Sequence, residues 1–154
     1  MGRLLPPSLA ALMLAGPAMA EDWRLVILDE VGATGVDATA ITREGDVARA
    51  TFLMVLASPD AFGPGSNLGH LTETTAYDCA NRTATDEAVR FYAPDGALLE
   101  ELPAEAPVEI GAGTPREFKW DAACNGVFTD TQSVPSQQAF IEVARAYYAT
   151  QAAQ

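Results

Sequence analysis

AYDCANRTATDEAVRFYAPDGALLEELP, running from Ala76 to Pro103, is the stretch whose reading decides the fold. It opens on the end of a strand predicted over His70 to Asp78, in which Leu71, Thr75 and Tyr77 share a face with Cys79. Ala80-Asn81 supplies a tight turn into a second strand, Arg82 to Tyr92, where Val89 and Phe91 share a face. Ala93-Pro94-Asp95-Gly96 is a turn by composition, because proline pre-sets φ at the first corner and glycine tolerates a positive one. Leu98 to Leu102 then returns as a third strand. Glu87, Glu100 and Glu101 read as a solvated edge, whose charge discourages one sheet from adding to another.

Upstream, Trp23 to Glu30 is a strand by its density of aromatic and branched residues. Val36 to Thr42 and Val47 to Ala57 form the arms of a hairpin, with turn chemistry at Glu44-Gly45-Asp46. In the second arm Ala48, Ala50, Phe52, Met54 and Leu56 make one apolar face, the pattern of a long central strand. Ser58 to Gly69 is a loop, rich in Pro, Gly, Ser and Asn. Exposed loops carry binding residues, and Phe62 and Asn67 are the candidates here for contact with a partner. The competing reading folds Phe62 back onto the domain.

Downstream, Pro103 to Pro115 is mostly loop, with a short strand at Val108 to Ile110. Alternation at Phe118 and Trp120 suggests a last strand that brings Cys124 toward Cys79. Ser136 is suited to cap a helix in which Phe140, Ile141, Ala144, Tyr147 and Tyr148 form one stripe. The expected fold class is α+β: a single antiparallel sheet of five to six strands with a C-terminal helix packed on its apolar face.

The N-terminus reads as a secretory signal over residues 1–20. Arg3 precedes an apolar run from Leu9 to Leu14, and Ala18-Met19-Ala20 fits the small-x-small rule for cleavage. The run is too short for a stable membrane anchor. A single domain over residues 21–154 is expected, in the periplasm or at the cell surface, with no membrane insertion after cleavage. The chain carries 21 acidic against 9 basic side chains, a formal charge of −12. Such a surface repels phosphate backbones and anionic headgroups, which argues against nucleic acid as a partner. In an oxidising compartment the two cysteines, Cys79 and Cys124, are expected to pair as a structural disulfide. A redox or metal-binding pair would call for CxxC spacing or nearby histidines, and neither is present.

No pattern of catalysis emerges. The chain has one histidine, His70, read as a surface or satisfied polar residue, and no GxSxG elbow. Ligand count argues against zinc, and the calcium-loop pattern is absent. Neither metal nor cofactor is expected. Carboxylates are many, but no spacing selects a glycosidase-type pair. The chain is therefore read as a non-enzyme.

The export signal, the early Trp23-Arg24-Leu25-Val26 strand and the hairpin YDCANR…FYAPDGALLEE resemble the surface-adhesin protein E-like family of Gram-negative bacteria. The matching positions are Tyr77, Asp78, Cys79, Arg82, Tyr92 and Gly96. The resemblance implies a small antiparallel sheet with a C-terminal helix, and a cysteine paired with a later one. It also implies adhesin-type binding of host matrix proteins and plasminogen, although this acidic chain has no matching basic segment. In the family the second cysteine usually follows the helix, whereas Cys124 precedes the helix expected here. The functional expectation is an exported, non-catalytic, adhesin-like domain that engages a protein partner through a sheet edge or the Ser58 to Gly69 loop. The alternative is a periplasmic structural or envelope-maintenance protein.

Overall fold

The structure, a computed structural model, describes residues 20–153. The expected signal segment lies outside the described residues except for Ala20. Nine strands and two helices follow in the order β1 (Trp23–Leu28), β2 (Gly32–Asp37), β3 (Thr42–Glu44), β4 (Val47–Leu56), β5 (His70–Asp78), β6 (Thr83–Tyr92), β7 (Leu98–Leu102), β8 (Val108–Glu109), α1 (Pro115–Asn125), β9 (Ser133–Val134) and α2 (Gln137–Ala152). All strand pairs are antiparallel, in the spatial order β7-β6-β5-β4-β2-β1-β9. β3 runs beside β4 where β2 has left it, and β8 beside β6 beyond β7.

The sheet thus has nine strands where five to six were expected. Two of the unexpected ones, β3 and β9, are two or three residues long and too short to show a period, whereas β8 is the short strand expected at Val108 to Ile110. β2 is hidden for another reason: its sequence, GATGVD, reads as a connection. Its glycines answer to close approach instead. A Cβ on Gly35 would lie 2.4 Å from the Phe140 ring, and one on Gly32 would lie 2.5 Å from the Val55 carbonyl oxygen. Asp37 ends β2 by accepting from the Thr39 N–H, and a single 3-10 turn over Ala38–Ala40 splits the expected first hairpin arm into β2 and β3.

The expected last strand at Phe118 and Trp120 is a helix. Thr114 caps its start, and Pro115 follows where a missing N–H costs nothing. The Thr114 side chain accepts from the Glu117 N–H, and the Glu117 carboxylate accepts from the Gly113 N–H. Gly126, left-handed at φ 67°, closes the other end. The alternation at Phe118 and Trp120 is the i, i+2 step from the outer to the inner side of this helix. Phe118 is exposed while Trp120, Ala122, Ala123 and Cys124 are buried.

The sheet is covered on both sides. α1 packs Trp120, Ala123 and Cys124 over Ala48, Ala50, Phe52 and Tyr77. α2 packs Phe140, Ile141 and Ala144 over Trp23, Ala33, Leu53 and Val55. β4 records both contacts. Its first half alternates exposed and buried, with Arg49 and Thr51 in solvent, whereas Phe52, Leu53, Val55 and Leu56 are all buried. The C-terminal helix therefore lies on the face of Leu53 and Val55, and the face of Ala48, Ala50 and Phe52, where it was expected, belongs to α1. Ser136 caps α2 as expected, accepting from the Ala139 N–H at 3.1 Å.

Candidate functional site

Cys79 and Cys124 form a disulfide, with Cα atoms 5.7 Å apart. β5 ends in a turn in which the Asp78 carboxylate accepts from the Ala80 and Asn81 N–H groups, and Arg82 takes a left-handed φ of 53°. The bond joins that turn to the last turn of α1. Arg82 adds a second tie, its guanidinium lying 4.4 Å from the Trp120 ring centroid and donating to Glu117. The thiols are consumed in a covalent fastening between helix and hairpin.

Beside this fastening, α1 meets the sheet through a polar seam. Arg116 donates to both Asp86 oxygens at 2.9 and 2.8 Å, Thr75 donates to Asp86 at 2.9 Å, and Lys119 pairs with Glu73. Burial pushes the Asp86 carboxyl up, but the Arg116 fork and the Thr75 hydroxyl outweigh it and hold the group below the ordinary carboxylate range. Glu73 and Asp86 both reach the Thr75 hydroxyl. Each carboxylate is committed to a cation of α1, and neither lines the shallow recess bordered by Glu109, Thr114, Arg116 and Lys119. The seam locates α1 on the sheet.

His70 is buried rather than at the surface. It is 7 % exposed and stacks on Tyr92 with ring centroids 4.6 Å apart. Its Nδ1 has no hydrogen-bond partner among the described residues. Burial, and then the charge of Arg145, lower its pKa. It stands opposite Val55, a residue of the cluster under α2.

Three surfaces remain open to a partner. The first is the segment between β4 and β5, which holds its own shape: Pro59 accepts from the Leu68 N–H and the Ser66 hydroxyl, and Asp60 accepts from Gly65. On this frame Phe62 does not fold back and is 54 % exposed. Asn67, also exposed, takes a left-handed φ of 50°. The two candidate residues share one loop.

The second surface is β7, all five of whose residues are exposed. The three leucines of this strand were legible as a strand, but sequence alone gives no sign that nothing covers them. The third is a groove between α2 and β1, floored by Trp23, Leu25 and Phe140 and rimmed by Leu28, Val143 and Tyr147. With a volume of about 230 Å³ it is smaller than the usual pocket for a small molecule and is the size of one or two side chains. Trp23 and Phe140 carry their signal in the sequence only as core residues. Among the described residues no group of three or more His, Cys, Asp and Glu side chains could hold a metal, and no helix is long and apolar enough to cross a membrane.

A sequence profile of the surface-adhesin protein E family matches residues 23–125. The match runs from the first residue of β1 to the last of α1 and includes both cysteines. Cys124 stands in the last turn of α1 and still precedes the C-terminal helix α2, so the departure expected at this position remains. Among solved structures, a crystal structure of Haemophilus influenzae protein E superposes with a TM-score of 0.50 at 14% identity. The alignment covers 82% of this chain and 98% of that one, a likeness of fold. No curated protein sequence matches.

Proposed function

The chain belongs to the surface-adhesin protein E family, and from that membership we propose that it is an exported, non-catalytic binding protein displayed on the cell surface, where it engages a macromolecular partner. In this reading the signal segment is cleaved after Ala20, and residues 21–154 form the one working domain. The observation that carries it is Phe62, a large aromatic side chain held out in solvent on a loop whose backbone is fixed by its own hydrogen bonds. A rigid exposed aromatic loses little entropy on contact and buries much area, the economy that makes such residues anchors in interfaces. Asn67 on the same loop adds a polar group beside that anchor.

The test is protease accessibility of the native protein on intact cells against a lysed control, followed by adhesion of the cells to wells coated with matrix protein. Cleavage on intact cells, with adhesion that drops when Phe62→Ala is introduced, is the expected result. Protection until lysis would overturn surface display and favour a periplasmic, envelope-maintenance role. Surface display with adhesion indifferent to Phe62→Ala would move the partner site off this loop.

A further inference from the structure

β7 pairs with β6 and, among the described residues, with no strand on its other flank. A strand in an antiparallel sheet turns alternate N–H and C=O groups to each side, so this flank presents a row of unpaired donors and acceptors. Leu98 and Leu99 are 54 % and 50 % exposed. Leu102 and, just beyond it on β8, Val108 are also exposed. Residues directly opposite in paired strands point to the same side. Leu102 is thus on the side of Val89, and Leu98 is on the side of Tyr92. Because the ladder slips by one residue between these two pairs, apolar side chains stand on both faces of the edge. An added strand would find something to pack on above and below.

Charge selects among the strands that could be added. Glu101 is held by Arg90 in a two-pronged pair, while Glu100, Glu105 and Glu109 have no ion-pair partner among the described residues. A second copy of β7 would bring Glu100 close to like charge, which opposes pairing. A cationic strand meets the reverse. From the open ladder, the leucines and the uncompensated glutamates we infer that β7 is a docking edge for an extended segment of a partner polypeptide in which basic and apolar residues alternate, added as a further strand. This deepens the proposed function by naming the partner's chemistry, and it rests on that reading for the existence of a partner.

The purified, disulfide-bonded protein is titrated with a short blocked peptide that alternates lysine and valine. The control is the same peptide N-methylated at every second residue, which keeps charge and side chains but removes the N–H row that pairs with β7. The plain peptide is expected to bind, to slow amide exchange across Leu98–Leu102, and to bind about tenfold more tightly than the methylated one. Glu100→Lys is expected to weaken the plain peptide about tenfold while leaving the melting temperature unchanged. Equal binding of both peptides would reduce the interaction to charge attraction and overturn strand addition. No binding, or protection confined to residues 58–69, would overturn it as well. The readout is independent of where the protein resides, so a periplasmic result on cells and a negative titration are separate failures.

Discussion

A hydrogen atom is all that Gly35 places between β2 and Phe140, because a Cβ there would meet three atoms of the ring at 3.0 Å or less. The ring cannot retreat freely, since Phe140 is buried against Trp23, Ala33 and Leu53. Gly35→Val is therefore expected to cost about 3 kcal/mol, read as a fall in the denaturant midpoint. Adding Phe140→Leu should return part of the loss, and no recovery in the double variant would mean that the contact is not the cause. Asp86 gives a second test at this scale. Its folded pKa lies below the unfolded one, so its share of stability is present above the unfolded value and is lost as pH falls through the folded value. Asp86→Asn is expected to cost about 2 kcal/mol at neutral pH, water at the rim of the seam moderating the figure, and to flatten the acid limb of the stability curve. An unchanged acid limb would mean that Arg116 and Thr75 do not hold this group. Single residues of this kind are nearly illegible in sequence. Gly35 reads as a turn former and Asp86 as one acid among 21, because what distinguishes them is a neighbour far along the chain.

At the scale of elements, β1, β4, β5, β6 and β7 were read to within a residue or two, whereas the glycine-bearing β2 was displaced by four or five. α1 was missed. Its caps, Thr114, Pro115, Glu117 and Gly126, were all present in the sequence, but Phe118 and Trp120 suggested alternation and a strand was read in their place. An eleven-residue helix that buries one narrow side against a sheet and salts the next with Arg116 and Lys119 has little apolar periodicity to show. The pairing of Cys79 with Cys124 survived that misreading because it depended on compartment and number, not on the element carrying the thiol. The disulfide bridges residues 45 apart in the chain, and its removal by Cys79→Ala with Cys124→Ala is expected to cost about 4 kcal/mol, with α1 loosening first. Amide exchange would show this as lost protection over Pro115–Asn125 ahead of β4 and β5. Uniform loss across the sheet would show instead that α1 and the sheet open as one unit. Thr114→Ala, which removes one capping acceptor, should cost about 1 kcal/mol and leave the bond intact.

At the scale of the whole molecule, the division of labour between faces and edges explains why the fold was more legible than the site. Burial leaves a pattern, so the apolar face of Ala48, Ala50 and Phe52 could be read from β4, although the helix that covers it could not. Exposure at an edge leaves none, because Leu98, Leu99 and Leu102 would carry the same letters in a covered strand. What keeps such an edge from joining its copies is charge, and the chain carries −12 of it. That protection must fail in acid, where the negative charge of the surface is lost. Light scattering is expected to show self-association rising as the solution is acidified, while the fold, measured by far-UV circular dichroism, persists over the same range. Leu99→Lys puts a positive charge on the edge that acid cannot remove, and it should move the onset to lower pH. Phe62→Ala, in a different exposed region, should not. Were the two variants to shift the onset equally, general loss of surface charge would account for the association and the edge would have no special part in it. Were Leu99→Lys alone to shift it, the glutamates of β7 would be shown to guard an edge that is competent to pair, which is the property a cationic partner strand requires.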